Sequence, residues 1–317
     1  MTVPVYSSEE WQKILLDLPR RGAAKVTAFY EYRMGGICRD ARFLLAPLDD
    51  HLVHRGDAVF ESLSFIQGGI VQLDAHIERM KHSAQVLSLR PPCPWEEVRE
   101  IALAVARAGG EPHGGLKILL GRGCGGLGVD PAECPESSLY MIATKGRPLP
   151  ESFWEKGLTA ARSSVPAKQP WLAQIKSTNY LANAMMAAEA REKGVDVTFS
   201  FDDSGFLAEA AIANVGMVDG EGRLVIPEFR CALPGTTAIL AEQVASAFMP
   251  VLHADISAEA LEKAREILVF GTTPECVAVT HYNGKAIGDG TPGPVAKKLR
   301  PLLHEEILRH LVPFMTA

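Results

Sequence analysis

Four short segments of this 317-residue chain carry side chains able to do chemistry. In QIKSTNYLANAMMAAEAREKG, Lys176 closes an extended stretch immediately before an apolar-periodic helix. An amine held there is partly desolvated, which lowers its pKa and frees it to form a Schiff base with a carbonyl group. In SGFLAEAAIANVGMVD, Glu209 stands among Leu207, Ala208, Ala210, Ala211 and Ile212, where an ionised carboxylate is costly without a cationic partner. A protonated ring nitrogen is one such partner. In CALPGTTAILAEQVASAF, Pro234 and Gly235 make a turn and Thr236 and Thr237 begin a helix, whose free N–H groups favour an anion such as phosphate. In LVFGTTPECVAVTHYN, Thr272 and Thr273 end a strand with hydroxyls and amides suited to another phosphate oxygen. Arg79, in LDAHIERMKHSA, adds a guanidinium shaped for paired hydrogen bonds with phosphate. Each residue alone has a plainer reading: a surface lysine, a solvent-facing glutamate, simple helix capping, a solvated helix face. In combination they describe a site for a phosphorylated aldehyde.

A competing chemistry comes from LLGRGCGGLGVDP, where Gly121, Gly123 and Gly126 stand at G-x-G-x-x-G spacing after the apolar run LKILL. A dinucleotide fingerprint needs its glycine loop to open a helix, whose amino end then faces the pyrophosphate. Here Pro131 and Pro135 follow closely and lead into the strand-like SLYMIAT, so no such helix starts. The expectation is a tight glycine connection between two antiparallel strands, still able to line a pocket.

The elements that must position these groups are mixed in type along the whole chain. Strand-length apolar runs (AKVTAFYEY, GGIVQL, LKILL, SLYMIAT, LTAARSSV, DVTFSFD, IANVGMVD, RLVIP, EILVFG, CVAVTHYN) alternate with helical patterns (DAHIERMKHSAQVL, WEEVREIALAVARAG, TNYLANAMMAAEAREKG, TTAILAEQVASAF, SAEALEKAREI, PVAKKLRPLLHEEILRHL). FLLAPLDDHLVHRGDAVFESL mixes both periods. Pro148 and Pro150 suit an extended connection between two mixed α/β domains, 1–147 and 157–317, with a linker over 148–156.

Composition narrows the function classes. With 47% hydrophobic and 22% charged residues and a net charge of -6, nothing favours nucleic acid. No apolar run approaches the roughly 20 residues of a membrane helix, and MTVPVYSSEEWQ lacks the basic start and apolar centre of a signal peptide, so a cytoplasmic protein is expected. Cys38, Cys93, Cys124, Cys134, Cys231 and Cys276 are scattered and read as free thiols. His51, His54 and His76 lack partners at metal-ligand spacing, and no metal site is expected.

From about Pro47 to Leu302 the sequence resembles the class IV family of pyridoxal-phosphate-dependent aminotransferases, which includes branched-chain aminotransferases, D-amino acid aminotransferases and aminodeoxychorismate lyases. The resemblance runs in order through HRGDAVFESL, LDAHIERMKHSA, IKSTNYLANAMMAAEA, LAEAAIANV, LPGTT, GTTPE and YNGKAIGDGTPGP. It implies the α/β fold-type IV arrangement, two α/β domains with pyridoxal 5'-phosphate between them, usually as a homodimer whose partner contributes to the pocket. It makes Lys176 the Schiff-base lysine and proton carrier, pairs Glu209 with the pyridine nitrogen, and assigns the phosphate to Arg79, Thr236, Thr237 and Thr272. Tyr180 falls near the phenolic oxygen, and Phe60, Leu127 and Thr273 fall at the substrate pocket. The implied reaction is transamination between an amino acid and a 2-keto acid. Subclass stays open. Leu127 replaces an arginine that many aminodeoxychorismate lyases carry in this loop, and Leu127-Gly128-Val129 resembles the apolar branched-chain loop. Over a long stretch, PLDDHLVHRGDAVFE and IKSTNYLANAMMAAEA also resemble plant enzymes grouped with D-amino acid aminotransferases and lyases. The expectation is transfer from a small, apolar amino acid; the alternatives are pyruvate elimination giving 4-aminobenzoate and D-amino acid transamination.

Overall fold

Two sheets divide the strands between them in the computed structural model, which describes residues 1–315. The first is built from β1 (Val26–Glu31), β2 (Gly36–Cys38), β3 (Ala58–Ile66), β4 (Gly69–Val71), β5 (Gly114–Gly121) and β6 (Ser138–Lys145), in the order β4-β3-β5-β6-β1-β2 with every pairing antiparallel. The second holds β7 (Leu158–Arg162), β8 (Val197–Phe201), β9 (Leu207–Ala210), β10 (Asn214–Val218), β11 (Leu224–Ile226), β12 (Val251–His253), β13 (Glu266–Gly271), β14 (Glu275–Tyr282) and β15 (Lys285–Ala286). Its order is β12-β11-β10-β13-β14-β7-β8-β9, with β15 on β14 and parallel pairings at β11·β12, β14·β7 and β7·β8. The last strand, β16 (Leu311–Pro313), returns to the first sheet and pairs antiparallel with β4.

Helices cover the sheets through faces legible in their periodicity. Leu73–Val86 turns Ile77, Met80 and Ala84 inward against β3, and Trp95–Gly109 buries Val98, Ala102, Val105 and Ala106 against β1 and β6. The latter stops where Gly110 takes φ 70°, the left-handed turn that glycine adopts without a Cβ clash. Pro294–Arg309 packs Ala296, Leu299, Leu303 and Ile307 onto the second sheet. Among the described residues no helix is long and apolar enough to cross a membrane.

FLLAPLDDHLVHRGDAVFESL holds both types, a short helix, His51–His54, and the first residues of the nine-residue strand β3, whose alternate residues Val59, Glu61, Leu63 and Phe65 are buried. The glutamate on this buried face obscures the period of two. Two expectations change. The linker is not extended throughout: Pro150 starts a short helix, Glu151–Lys156, and the Trp154 indole donates to Pro274 O at 2.9 Å. The glycine connection between β5 and β6 is not tight. It runs from residue 122 to 137, includes a 3-10 turn at Pro131–Glu133, and is folded back on Glu133, against which a Cβ at Gly126 or Gly128 would collide.

Candidate active site

The backbone around Lys176 is stitched to the first sheet. Phe60 N donates to Lys176 O at 2.9 Å, Thr178 N donates to Ala58 O at 3.0 Å, and Ser83 Oγ accepts from Lys176 N at 3.2 Å. These bonds fix the lysine stem beside β3, so its amine projects into a cavity between the two sheets that Arg79, Tyr180, Asn183, Glu209 and Thr272 also line. The Nζ lies 4.8 Å from the Phe60 ring centroid and 3.3 Å from the Tyr180 hydroxyl. Phe60 and Tyr180 meet edge to face at 4.9 Å. Burial and the nearby Arg79 push the Lys176 amine down to about 8, against the opposing pull of Glu61 and Glu209. A neutral, nucleophilic fraction therefore exists near neutral pH.

At one end of the cavity Arg79 is held by a fully buried acid. Glu61 Oε1 accepts from Arg79 Nε at 2.8 Å and Oε2 from Nη2 at 2.7 Å, and Pro234 O accepts from Nη1 at 3.2 Å. Glu61 Oε2 also lies 2.7 Å from His76 Nδ1, which places the imidazole proton on Nδ1 and leaves Nε2, 3.3 Å away, to accept from the Thr236 hydroxyl. Burial pushes the Glu61 carboxyl up, but Arg79 and His76 together outweigh it and hold the group near 2. Burial pushes His76 down, against the pull of Glu61. The carboxylate thus orients a guanidinium and, through a neutral imidazole, a hydroxyl.

The same end receives the start of the helix Thr236–Ser246, which no side chain among the described residues caps. Its first residues, Thr236 and Thr237, are buried and line the cavity. Gly235 is required just before them, because a Cβ there would overlap Asn214 Oδ1, whose amide group donates to Leu233 O at 2.8 Å. Uncapped amides, two hydroxyls and a guanidinium converge in an arrangement that favours an anion.

Glu209 lies at the other end, on β9. Its Oε2 accepts from Leu233 N at 3.1 Å and its Oε1 forms an ion pair with Lys168 Nζ at 3.5 Å. Burial pushes the Glu209 carboxyl up, opposed by Lys168, the Leu233 amide and Lys176. Next to it, Asn183 donates to Ala211 O at 2.5 Å, and its buried Oδ1 has no partner among the described residues.

The structure brings Arg79, Lys176, Tyr180, Glu209, Thr236, Thr237 and Thr272 to one cavity and sets Phe60 against the Lys176 amine. It does not bring Leu127 or Thr273 to the cavity lining. Leu127 is 71% exposed, on a loop whose carbonyls, including its own, accept from Arg55 and whose Gly126 O lies 2.9 Å from His51 Nε2. Sequence reasoning missed Glu61, His76, Lys168, Asn183 and Asn214. A signal existed for His76, three residues before Arg79 and so on its helix face, and for Asn183, one turn after Tyr180. Lys168, in the loop SSVPAKQP, carried none.

The protein-family model described as amino-transferase class IV matches residues 58–282. The chain is 33% identical to the chloroplastic D-amino-acid transaminase of Arabidopsis thaliana, over 98% of this chain and 86% of that one. It is 28% identical to the branched-chain-amino-acid aminotransferase of Escherichia coli K12, over 79% and 84% respectively. Among solved structures, the branched-chain amino acid aminotransferase of T.th. with pyridoxamine 5'-phosphate superposes with a TM-score of 0.86 at 26% identity, covering 92% of this chain and 99% of that one.

Proposed function

The chain belongs to the class IV aminotransferases, enzymes that work with pyridoxal 5'-phosphate, and we propose that it transfers the amino group of a small, apolar amino acid to a 2-keto acid with Lys176 as the reacting amine. The observation that carries this reading is the buried Lys176 amine, with a cation and uncapped helix start on one side and a buried carboxylate on the other. The residues fit the cofactor. Arg79, Thr236, Thr237 and Thr272 would hold the phosphate, Glu209 the ring nitrogen, and the unpartnered Asn183 Oδ1 is a buried acceptor in the same cavity.

Bound there, pyridoxal 5'-phosphate supplies an aldehyde carbon that takes up amines and a ring that accepts an electron pair. Lys176 does the proton work. Its Nζ, desolvated and held near 8, would take the proton from the substrate α-carbon as a base and give the same proton back as an acid. Tyr180, whose hydroxyl is pushed up by burial and by Glu209, stays neutral, and its hydroxyl oxygen accepts from that nitrogen at 3.3 Å. Phe60 and Tyr180 exclude water from one side of the amine and restrict its swing.

Similarity to branched-chain aminotransferases supports the apolar substrate, and the relative from Arabidopsis thaliana favours a second reading, transfer from D-amino acids. The reading also includes two domains joined near 148–156 and a cytoplasmic homodimer; sedimentation that finds only monomers counts against the dimer. A panel of L and D amino donors with pyruvate or 2-oxoglutarate tests the whole. The expected outcome is a new keto acid from branched or other small apolar donors, and borohydride reduction followed by peptide mapping places the label on Lys176. No product from any donor removes the proposal.

A further inference from the structure

Lys168 approaches the cavity from the loop between β7 and the short helix Pro170–Ala173. Its side chain is 11% exposed, its ammonium is 3.5 Å from Glu209 Oε1, and it lies 4.8 Å from the Tyr180 ring centroid. Resting on the functional reading above, we propose that Lys168 is a positioning residue that shares the Glu209 carboxylate with the cofactor's ring nitrogen and so weakens the hold of Glu209 on the ring proton.

The balance of charge around one carboxylate decides how tightly it holds that proton. Glu209 Oε2 is already engaged by the Leu233 amide, and Oε1 faces Lys168. A ring nitrogen arriving at Glu209 therefore meets a carboxylate whose charge is partly matched. The other titratable groups facing this cluster do not restore the balance. Arg79 and Glu61 are paired with each other at 2.7 Å, and His76 between them is pushed down by burial. Burial holds the Tyr180 hydroxyl and the Cys231 thiol in their neutral forms. Lys176 is the reacting amine. Lys168 is the cation left over when Glu209 turns to the ring, and its field reaches the Lys176 nitrogen, which it pushes down along with burial and Arg79. Without that charge, the full negative charge of Glu209 acts on the ring nitrogen and, through the site, on the nitrogen of Lys176.

The test is a pH titration of the visible absorbance of the cofactor-loaded protein, in the native chain and in Lys168→Met, Lys168→Gln and Lys168→Arg. Loss of the ammonium in the Met and Gln variants is expected to raise the absorbance midpoint by about one pH unit, the order expected for removing one charge from a partly buried cluster. Arg, which keeps the charge, is expected to hold the midpoint near the native value. An unchanged midpoint in Met and Gln, or an equal shift in Arg, overturns the assignment of Lys168; a lysine with a purely structural role moves stability and leaves the midpoint in place. Borohydride labelling separates the two readings. A label found away from Lys176 in the native chain overturns the functional reading, whereas a label on Lys176 with no shift in midpoint overturns Lys168 alone.

Discussion

Lys176 holds an ammonium where the surroundings disfavour it. Its pKa is about 8 in the folded chain against an ordinary value near 10.5, so below pH 8 both folded and unfolded chains carry the charge and the folded one bears the burial cost. Between pH 8 and 10.5 the unfolded chain binds more protons, and stability from this group rises with pH, by about 3 kcal/mol across the window. Urea unfolding of the apoprotein at about pH 7.5 and about pH 10 should show that gain in the native chain and its disappearance in Lys176→Met. A variant with the same pH slope as the native chain would place the amine in water. The same residue shows what sequence could supply. A lysine at the junction of an extended run and an apolar helix is visible as a position, and so are threonines opening a helix after Pro-Gly. The burial and the nearby Arg79 charge that make the amine reactive are brought about by folding, which also sets Phe60 and Tyr180 beside it, and no local pattern announces them. Leu127 and Val129 lie outside the cavity lining, 71% and 78% exposed, on a loop whose carbonyls bond His51 and Arg55.

β3 and the helix Leu73–Val86 form a unit built around one acid in a core-facing position. Val59, Leu63 and Phe65 share the buried face with Glu61, whose side chain is wholly enclosed and bonded to Arg79 and His76. Removing one member of a buried charged pair leaves the other uncompensated, which costs about 3–5 kcal/mol. Glu61→Gln is therefore expected to lose stability of that order near neutral pH. The sign with pH is fixed by the depressed carboxyl: its contribution is fully present above the unfolded value near 4.5 and lost as pH falls towards about 2. Thermal melts between about pH 5 and about pH 3 should fall more steeply in the native chain than in the variant, and parallel curves would show that the Glu61 carboxyl is not depressed in the fold. This acid also explains why β3 was illegible as a strand. A glutamate at an inward position breaks the apolar alternation, and only the arginine and histidine one helix away make its burial tolerable. The strands β6, β13 and β14, whose buried Ser138, Glu266 and Glu275 stand at the strand starts, and β5 keep apolar runs through their centres and are legible directly.

Both sheets contribute to the cavity, Arg79 from a helix on the first and Glu209, Thr236 and Thr272 from the second, with Lys176 bonded to β3, so activity depends on what holds the sheets in register. The mixed α and β character of both halves was readable from periodicity, but the path of the last residues was not, because three residues of strand after a 16-residue helix carry no period. That path is a clamp. The helix Pro294–Arg309 buries four residues on the second sheet, and the chain then adds β16 to the edge of β4 in the first. Phe314 follows, 2% exposed and edge to face with Phe65 at 5.3 Å, while its carbonyl accepts from Arg107 Nε at 2.9 Å. Phe314→Ala removes the buried ring and is expected to cost about 3–5 kcal/mol, leaving β16 paired and the cofactor bound nearly as tightly. Ending the chain after His310 removes β16 as well, frees the β4 edge and leaves the segment between β6 and β7 as the covalent tie between the sheets. If β16 is a clamp, the shortened chain loses tenfold or more in cofactor affinity at temperatures where both variants remain folded, as measured by equilibrium binding followed through the cofactor absorbance. Equal affinity in the two would mean that the contacts around Arg79 and Pro234 hold the cavity together without the final strand.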